Sequence, residues 1–231
     1  MKVLKLTFIT FFGICSALSA QQLQQPLEAF PMSNRGYALL KTGEVIEGNI
    51  VNSSSTRGIT NVSLEDESGK RHKINAEEIY EFAIAMNGAV RLQYFSERGS
   101  SVKKLLSKDQ PTVKPTDFII FRNTRINGEK ELLLQLLNPH FDEIFEVFYD
   151  PFARKTTALE GEHITWTGDK HRACFVSKND SALIKVKSGN YKKVFEELFG
   201  DCEEVRASVR APRLEDLDQH ISLYQAFCTI S

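Results

Sequence analysis

From Tyr37 to Leu137 apolar residues recur in short runs broken at glycine-bearing dipeptides. Such a pattern predicts antiparallel hairpins rather than helices. Tyr37–Lys41 and Glu44–Val51 flank Thr42-Gly43, and Val62–Asp66 and Lys70–Ile74 flank Ser68-Gly69. Ile79–Ala85 with Ala89–Phe95 is expected to pair around Asn87-Gly88, and Phe118–Ile126 with Glu129–Leu137 around Asn127-Gly128, whose residues both tolerate positive φ. Ile46, Gly48 and Ile50 share one strand face, and the missing Cβ at Gly48 lets another backbone approach there or the strand bend. Further strand-like runs cover Glu143–Tyr149, Ile164–Thr167, Ala173–Ser177 and Ala182–Lys187, separated by Asp150-Pro151, Gly168-Asp169 and Asn179-Asp180.

The period then changes. Tyr191, Val194, Phe195, Leu198 and Phe199 lie at i, i+3, i+4, i+7 and i+8, one face of a helix that Gly200 stops. Asp201, with Glu204 three residues on, is placed to cap a second short helix. Beyond Pro212 a third helix runs through Leu214, Leu217, Ile221, Tyr224 and Phe227. The expected class is α+β: an antiparallel hairpin-rich sheet or small barrel followed by a C-terminal helical segment.

At the N-terminus Lys2 and Lys5 precede an apolar run from Leu6 to Cys15 that ends in Ser16, Ala17, Ser19 and Ala20, the layout of a secretory signal. The run is about half the ~20 residues that a spanning helix requires, so cleavage after Ala20 or Ser19 is the expectation. Ile14 beside Cys15 argues against a lipobox. The chain then divides into a signal peptide over 1–20, a polar leader over 21–35, a small curled β domain over 36–95, a linker over 96–116 rich in Ser, Lys and Pro, and a β-meander with C-terminal helices over 117–231. The mature chain keeps 27 basic residues against all 30 acidic ones, a formal charge of −3, and is expected to have no transmembrane segment. That charge favours no polyanion, so no nucleic-acid partner is expected.

Two resemblances bear on shape and setting. Gly36-Tyr-Ala-Leu-Leu-Lys-Thr-Gly-Glu-Val-Ile-Glu-Gly-Asn-Ile50 with Asn61-Val-Ser-Leu-Glu-Asp66 resembles the first half of an Sm-like small barrel, while Ile84-Ala-Met-Asn-Gly88 lacks the arginine of that family's RNA-contacting motif. Over nearly the whole chain, a signal ending in Ala20-Gln21, the Lys41-Thr-Gly-Glu44 turn, Asn190-Tyr-Lys-Lys193, Asp201-Cys202 and Tyr224–Cys228 resemble exported β-rich envelope proteins common in Bacteroidota. That resemblance implies a periplasmic or secreted bacterial setting and transfers no activity.

Candidate chemistry is sparse. Ser101–Lys104, Ser188–Asn190 and Lys41–Gly43 match the triplets of penicillin-recognising enzymes, but Lys-Thr-Gly comes first, and the chain has neither the length nor the helical subdomain such enzymes need. His163, His171 and Cys174 offer nitrogen and sulfur for zinc at spacings looser than structural zinc pairs, and Cys174 lies in a core-like run. His72, His140 and His220 are isolated and read as surface or boundary residues. Adjacent carboxylates such as Glu77-Glu78, Glu196-Glu197 and Glu203-Glu204 project about 100° apart on a helix and do not converge. With Cys15 removed three cysteines remain, and in an oxidising compartment Cys202 pairs with Cys228 while Cys174 stays buried and free. Antiparallel helices alone would carry Cys228 roughly 10 Å past Cys202, so a bend near Gly200 or Pro212 is required.

These features point to an exported, non-catalytic envelope protein, a binding or scaffolding module for a macromolecule or ligand, working without metal or organic cofactor. The alternatives are an exported hydrolase whose site assembles only in three dimensions, and a surface or adhesin-type subunit whose sheet edge accepts a partner strand.

Overall fold

A computed structural model of the chain describes residues 22–27, 35–54, 58–85, 118–126, 131–151 and 173–229. The expected signal peptide, the 96–116 linker, Ile164–Thr167, His163 and His171 lie outside the described residues.

Seven strands form one antiparallel sheet in the order β4-β3-β2-β1-β5-β6-β7. They are β1 (Arg35–Leu40), β2 (Val45–Ser54), β3 (Asn61–Glu65), β4 (Arg71–Asn75), β5 (Ile79–Ala85), β6 (Phe118–Arg125) and β7 (Glu131–Gln135). The first two turns follow from local chemistry. Gly43 takes φ +88°, and the Asp66 carboxylate accepts from the Ser68 and Lys70 amides at 2.9 and 3.0 Å.

Strong curling comes from one glycine pair. Gly36 and Gly48 face each other across β1 and β2, and a Cβ on either would stand 2.5 Å from Ala83 O or 2.4 Å from Glu65 O. Their bare backbones let both flanking strands fold inward, as the reading of Gly48 anticipates. Ile50, Val62, Leu64, Phe82, Ile84 and Leu133 fill the concave side and are almost wholly buried. The sheet is open rather than a closed barrel, and an isolated bridge between Ile59 and Leu133 draws β7 toward the β2–β3 connection.

The pairing expected of β5 is corrected by the fold. Its edges are taken by β1 and β6, with Glu81–Ala85 laddered to Arg122–Phe118, and the expected partner Ala89–Phe95 lies outside the described residues. Strands on either side of 96–116 thus belong to one sheet.

A second sheet, ordered β10-β9-β8, contains β8 (Phe145–Tyr149), β9 (Cys174–Lys178) and β10 (Ile184–Val186). Asn179 and Asp180 both have positive φ in the turn between β9 and β10, which suits short polar side chains. Both faces of this sheet are apolar because both are covered. Phe148 and Phe175 meet Leu132, Leu134 and Leu136 on the convex side of the first sheet, while Phe145, Val147 and Val176 meet the helices.

Three helices follow: α1 (Tyr191–Phe199), α2 (Glu203–Ser208) and α3 (Leu217–Cys228). The five α1 residues picked out by spacing are all buried. Asp201 does not cap α2. Cys202 occupies the N-cap position without a side-chain bond, because the Asp201 carboxylate is drawn to Lys178 and Tyr224. Phe227 is half exposed, whereas His220 on the same helix is 3% exposed, reversing the surface reading of that histidine. Among the described residues no helix is long and apolar enough to cross a membrane.

Candidate functional site

Among the described residues, the convex face of the first sheet is covered over one half. On β6 and β7 it carries the second sheet, while on β1, β2 and the start of β6 it leaves Tyr37, Leu39, Val45 and Phe118 in a row. Val45 is 52% exposed and Phe118 37%, and the rings of Tyr37 and Phe118 meet edge-to-face at 5.7 Å. Glu44 and Glu47 are exposed alongside.

At the boundary between the open and covered halves stands Arg122. Its guanidinium donates to Glu81 Oε2 at 3.1 Å, Asp142 Oδ2 at 2.8 Å and Glu146 Oε1 at 2.5 Å, tying β5 and β6 to β8 and the loop before it. Burial opposes the charge on Arg122, yet these three carboxylates hold it firmly protonated. Tyr37 Oη donates to the other oxygen of Glu81 at 2.8 Å, and burial followed by that carboxylate pushes the phenol up to about 12. The register shift between Leu39 and Leu40 makes Tyr80 an extra residue on β5, a bulge that turns its ring outward, with the Arg122 guanidinium 5.8 Å from its centroid. Each carboxylate here is joined to the same cation, so the group braces two sheets instead of presenting an acid and a base.

Other constellations are wired for structure too. Ser68 Oγ and His72 Nε2 both reach Asp66, at 2.6 and 2.8 Å. A hydrolytic triad needs the histidine between serine and carboxylate, and here the carboxylate is in the middle. Hydrogen bonds from Ser68 and then His72 hold Asp66 well below the ordinary carboxylate range. A polar cleft is lined by Thr60, Asn61, Asn75, Glu77 and Glu131. Glu131, bonded to Lys41 at 2.6 Å and Arg125 at 2.7 Å, is held ionised and is unsuited to general-acid work.

Lys178 donates to Asp201 and to Leu198 O at the end of α1, and sits 4.4 Å from the Tyr224 ring centroid. Burial raises the Asp201 carboxyl, but the bonds from Lys178 and Tyr224 outweigh it and leave it lowered. His220 Nδ1 shares a 2.7 Å hydrogen bond with Tyr191 Oη among Phe195 and Phe199.

The residues singled out by sequence are dispersed in role. Lys41 closes the first hairpin and pairs with Glu131, and Asn190 bonds the Lys187 amide and Lys185 O before α1. Ser101–Lys104 lies outside the described residues. Cys174 is buried and free, its thiol pushed up to about 12 by burial and then by Asp150. Cys202 and Cys228 form a disulfide with Cα atoms 6.0 Å apart, the turns after α1 and before α3 supplying the bend that helix lengths require.

Sequence reasoning missed Arg122 and its partners, which are 20, 24 and 41 residues from it. It also missed the convex strip, whose signal was there: Tyr37, Leu39 and Val45 are apolar at positions that alternate with the core-facing set. No family model, no curated protein and no solved structure matches this chain.

Proposed function

We propose that the protein is an exported, non-catalytic module of a bacterial envelope that binds a protein partner through the convex face of its first sheet. The carrying observation is the row Tyr37, Leu39, Val45 and Phe118, half-buried at its centre and exposed at Val45 and Phe118, on which no strand or helix among the described residues packs, while the other half of the face lies under the second sheet. Contiguous exposed apolar surface on an otherwise well-covered fold marks contact sites. Glu44 and Glu47 beside it favour a partner with an apolar centre and a basic rim. The Arg122 brace ties β5 and β6 beside this face to the second sheet, which lowers the ordering cost of association.

Strand addition at an edge is less favoured. β10 is three residues long, and β4, which has no second strand partner among the described residues, carries Arg71 and Lys73. Short edges and basic side chains are devices against edge pairing.

The test is to express the full chain with its first 20 residues, recover it from the periplasm and assay it against peptidase, esterase, glycosidase and phosphatase substrates. The mature N-terminus should read Gln21 or Ala20, with no turnover. Turnover abolished by Glu131→Gln or Ser68→Ala in a folded protein would promote the hydrolase, and an N-terminus still at Met1 would contradict export.

A further inference from the structure

Beside the disulfide, Glu204 Oε2 lies 3.7 Å from the Cys202 sulfur and 3.5 Å from the Cys228 sulfur. Sulfurs joined to each other carry no proton, so neither approach is a hydrogen bond in the oxidised protein. The spacing fits a different chemistry. Around a tetrahedral zinc with bonds of about 2.3 Å to sulfur and about 2.0 Å to oxygen, neighbouring sulfur and oxygen ligands stand roughly 3.5 Å apart.

One carboxylate oxygen therefore already sits at ligand spacing from both sulfurs. Two sulfur ligands on such an ion stand roughly 3.8 Å apart, so the two bonded sulfurs have to move apart once their bond is reduced. Side-chain rotation at a Cα separation of 6.0 Å supplies that without moving helices.

The frame is in place as well. Cys202 immediately precedes α2, Glu204 lies in its first turn, and Cys228 ends α3, which packs on α2. Cys202 is buried, Cys228 half-buried and Glu204 exposed, so the group spans from the core to the surface, and solvent reaches it on the Glu204 side to supply water as a fourth ligand. Cys174 is the remaining described thiol, and it is buried on β9 in the core that the second sheet shares with the helices.

We propose that reduction of the Cys202–Cys228 bond converts this corner into a site for a thiophilic divalent cation such as zinc, ligated by both sulfurs and Glu204. Two electrons and two protons from a dithiol reductant, itself oxidised to its disulfide, cleave the sulfur–sulfur bond to two thiols. The cation then displaces both thiol protons. The corner thus exchanges a covalent clamp for a metal clamp at the same place in the fold.

The mature chain, oxidised or reduced with a phosphine that is then removed, is titrated with zinc against a chromophoric chelator and separately with cobalt(II). The reduced chain should take up one equivalent at least about a hundredfold more tightly than the oxidised chain, with the absorption of tetrahedral cobalt thiolate. Glu204→Gln should weaken uptake about tenfold or more with unchanged thiol count and circular dichroism, and Cys174→Ser should leave it unaltered. Equal affinity of the two redox forms, or of Glu204→Gln and the parent, overturns the proposal. If reduction loosens the fold, zinc should restore the circular dichroism, and failure to restore it is equally contrary.

Discussion

Tyr191 Oη and His220 Nδ1 are 2.7 Å apart in the core where α1 meets α3, with both side chains almost wholly buried. Burial pushes the imidazole down to about 4, against a smaller upward pull from Asp216. In the unfolded chain the same group titrates near its ordinary value of about 6.5. Between those values the unfolded state binds the proton and the folded state does not, so stability is full above about pH 6.5 and falls as pH drops toward 4. The loss from this one group is about 3 kcal/mol. Urea denaturation at pH 7.5 and 4.5 checks it, and His220→Asn should flatten the slope while lowering stability at pH 7.5.

The disulfide ties α2 to α3 across a separation of 26 residues. Loop-closure entropy gives such a bond about 3 to 4 kcal/mol. Cys202→Ala with Cys228→Ala should lower the urea midpoint accordingly, measured by circular dichroism. An unchanged midpoint would show that the aromatic core of Phe145, Phe195 and Phe199 carries the helices unaided.

Curling of the first sheet predicts a sharp response at Gly48. A Cβ there meets the backbone at Glu65 O, where no flexible side chain can yield, so Gly48→Ala should cost about 1 to 3 kcal/mol. Gly69→Ala, with open space around its φ of +84°, should cost about 1 kcal/mol from backbone strain alone. Paired denaturation curves separate the two origins.

Removing Arg122 leaves Glu81, Asp142 and Glu146 half-buried together with no shared cation. Arg122→Met should destabilise by about 2 to 3 kcal/mol, since the group is partly solvated, and the loss should shrink as pH falls and the carboxylates protonate. Denaturation of parent and variant at pH 7.5 and 4.5 tests both statements.

Local rules carried far in this chain. Gly43 and Gly69 mark hairpins, the Tyr191–Phe199 spacing marks α1, and Cys202 and Cys228 pair while Cys174 stays buried and free. What stayed hidden depends on contacts distant in sequence. β5 pairs with β6 across more than thirty residues, a partner that nothing local to Ile79–Ala85 announces. Asp201 looks like a cap until Lys178 and Tyr224, 23 residues away on either side, claim it. His220 reads as a boundary residue because the aromatic set that surrounds it comes from α1. The Arg122 brace, assembled from three elements, has no linear signature at all.

The binding-face reading is tested most directly by in-cell photo-cross-linking, with a photoreactive residue placed singly at Val45, Leu39 or Phe118 and, as controls, at Lys73 on the β4 edge and Lys192 on α1. The account predicts one discrete adduct of an envelope protein from the three convex-face positions, absent from both controls and lost when Tyr37→Glu is added. Adducts of equal yield from all five positions, or an adduct of twice the chain's own mass from the convex face, would contradict it.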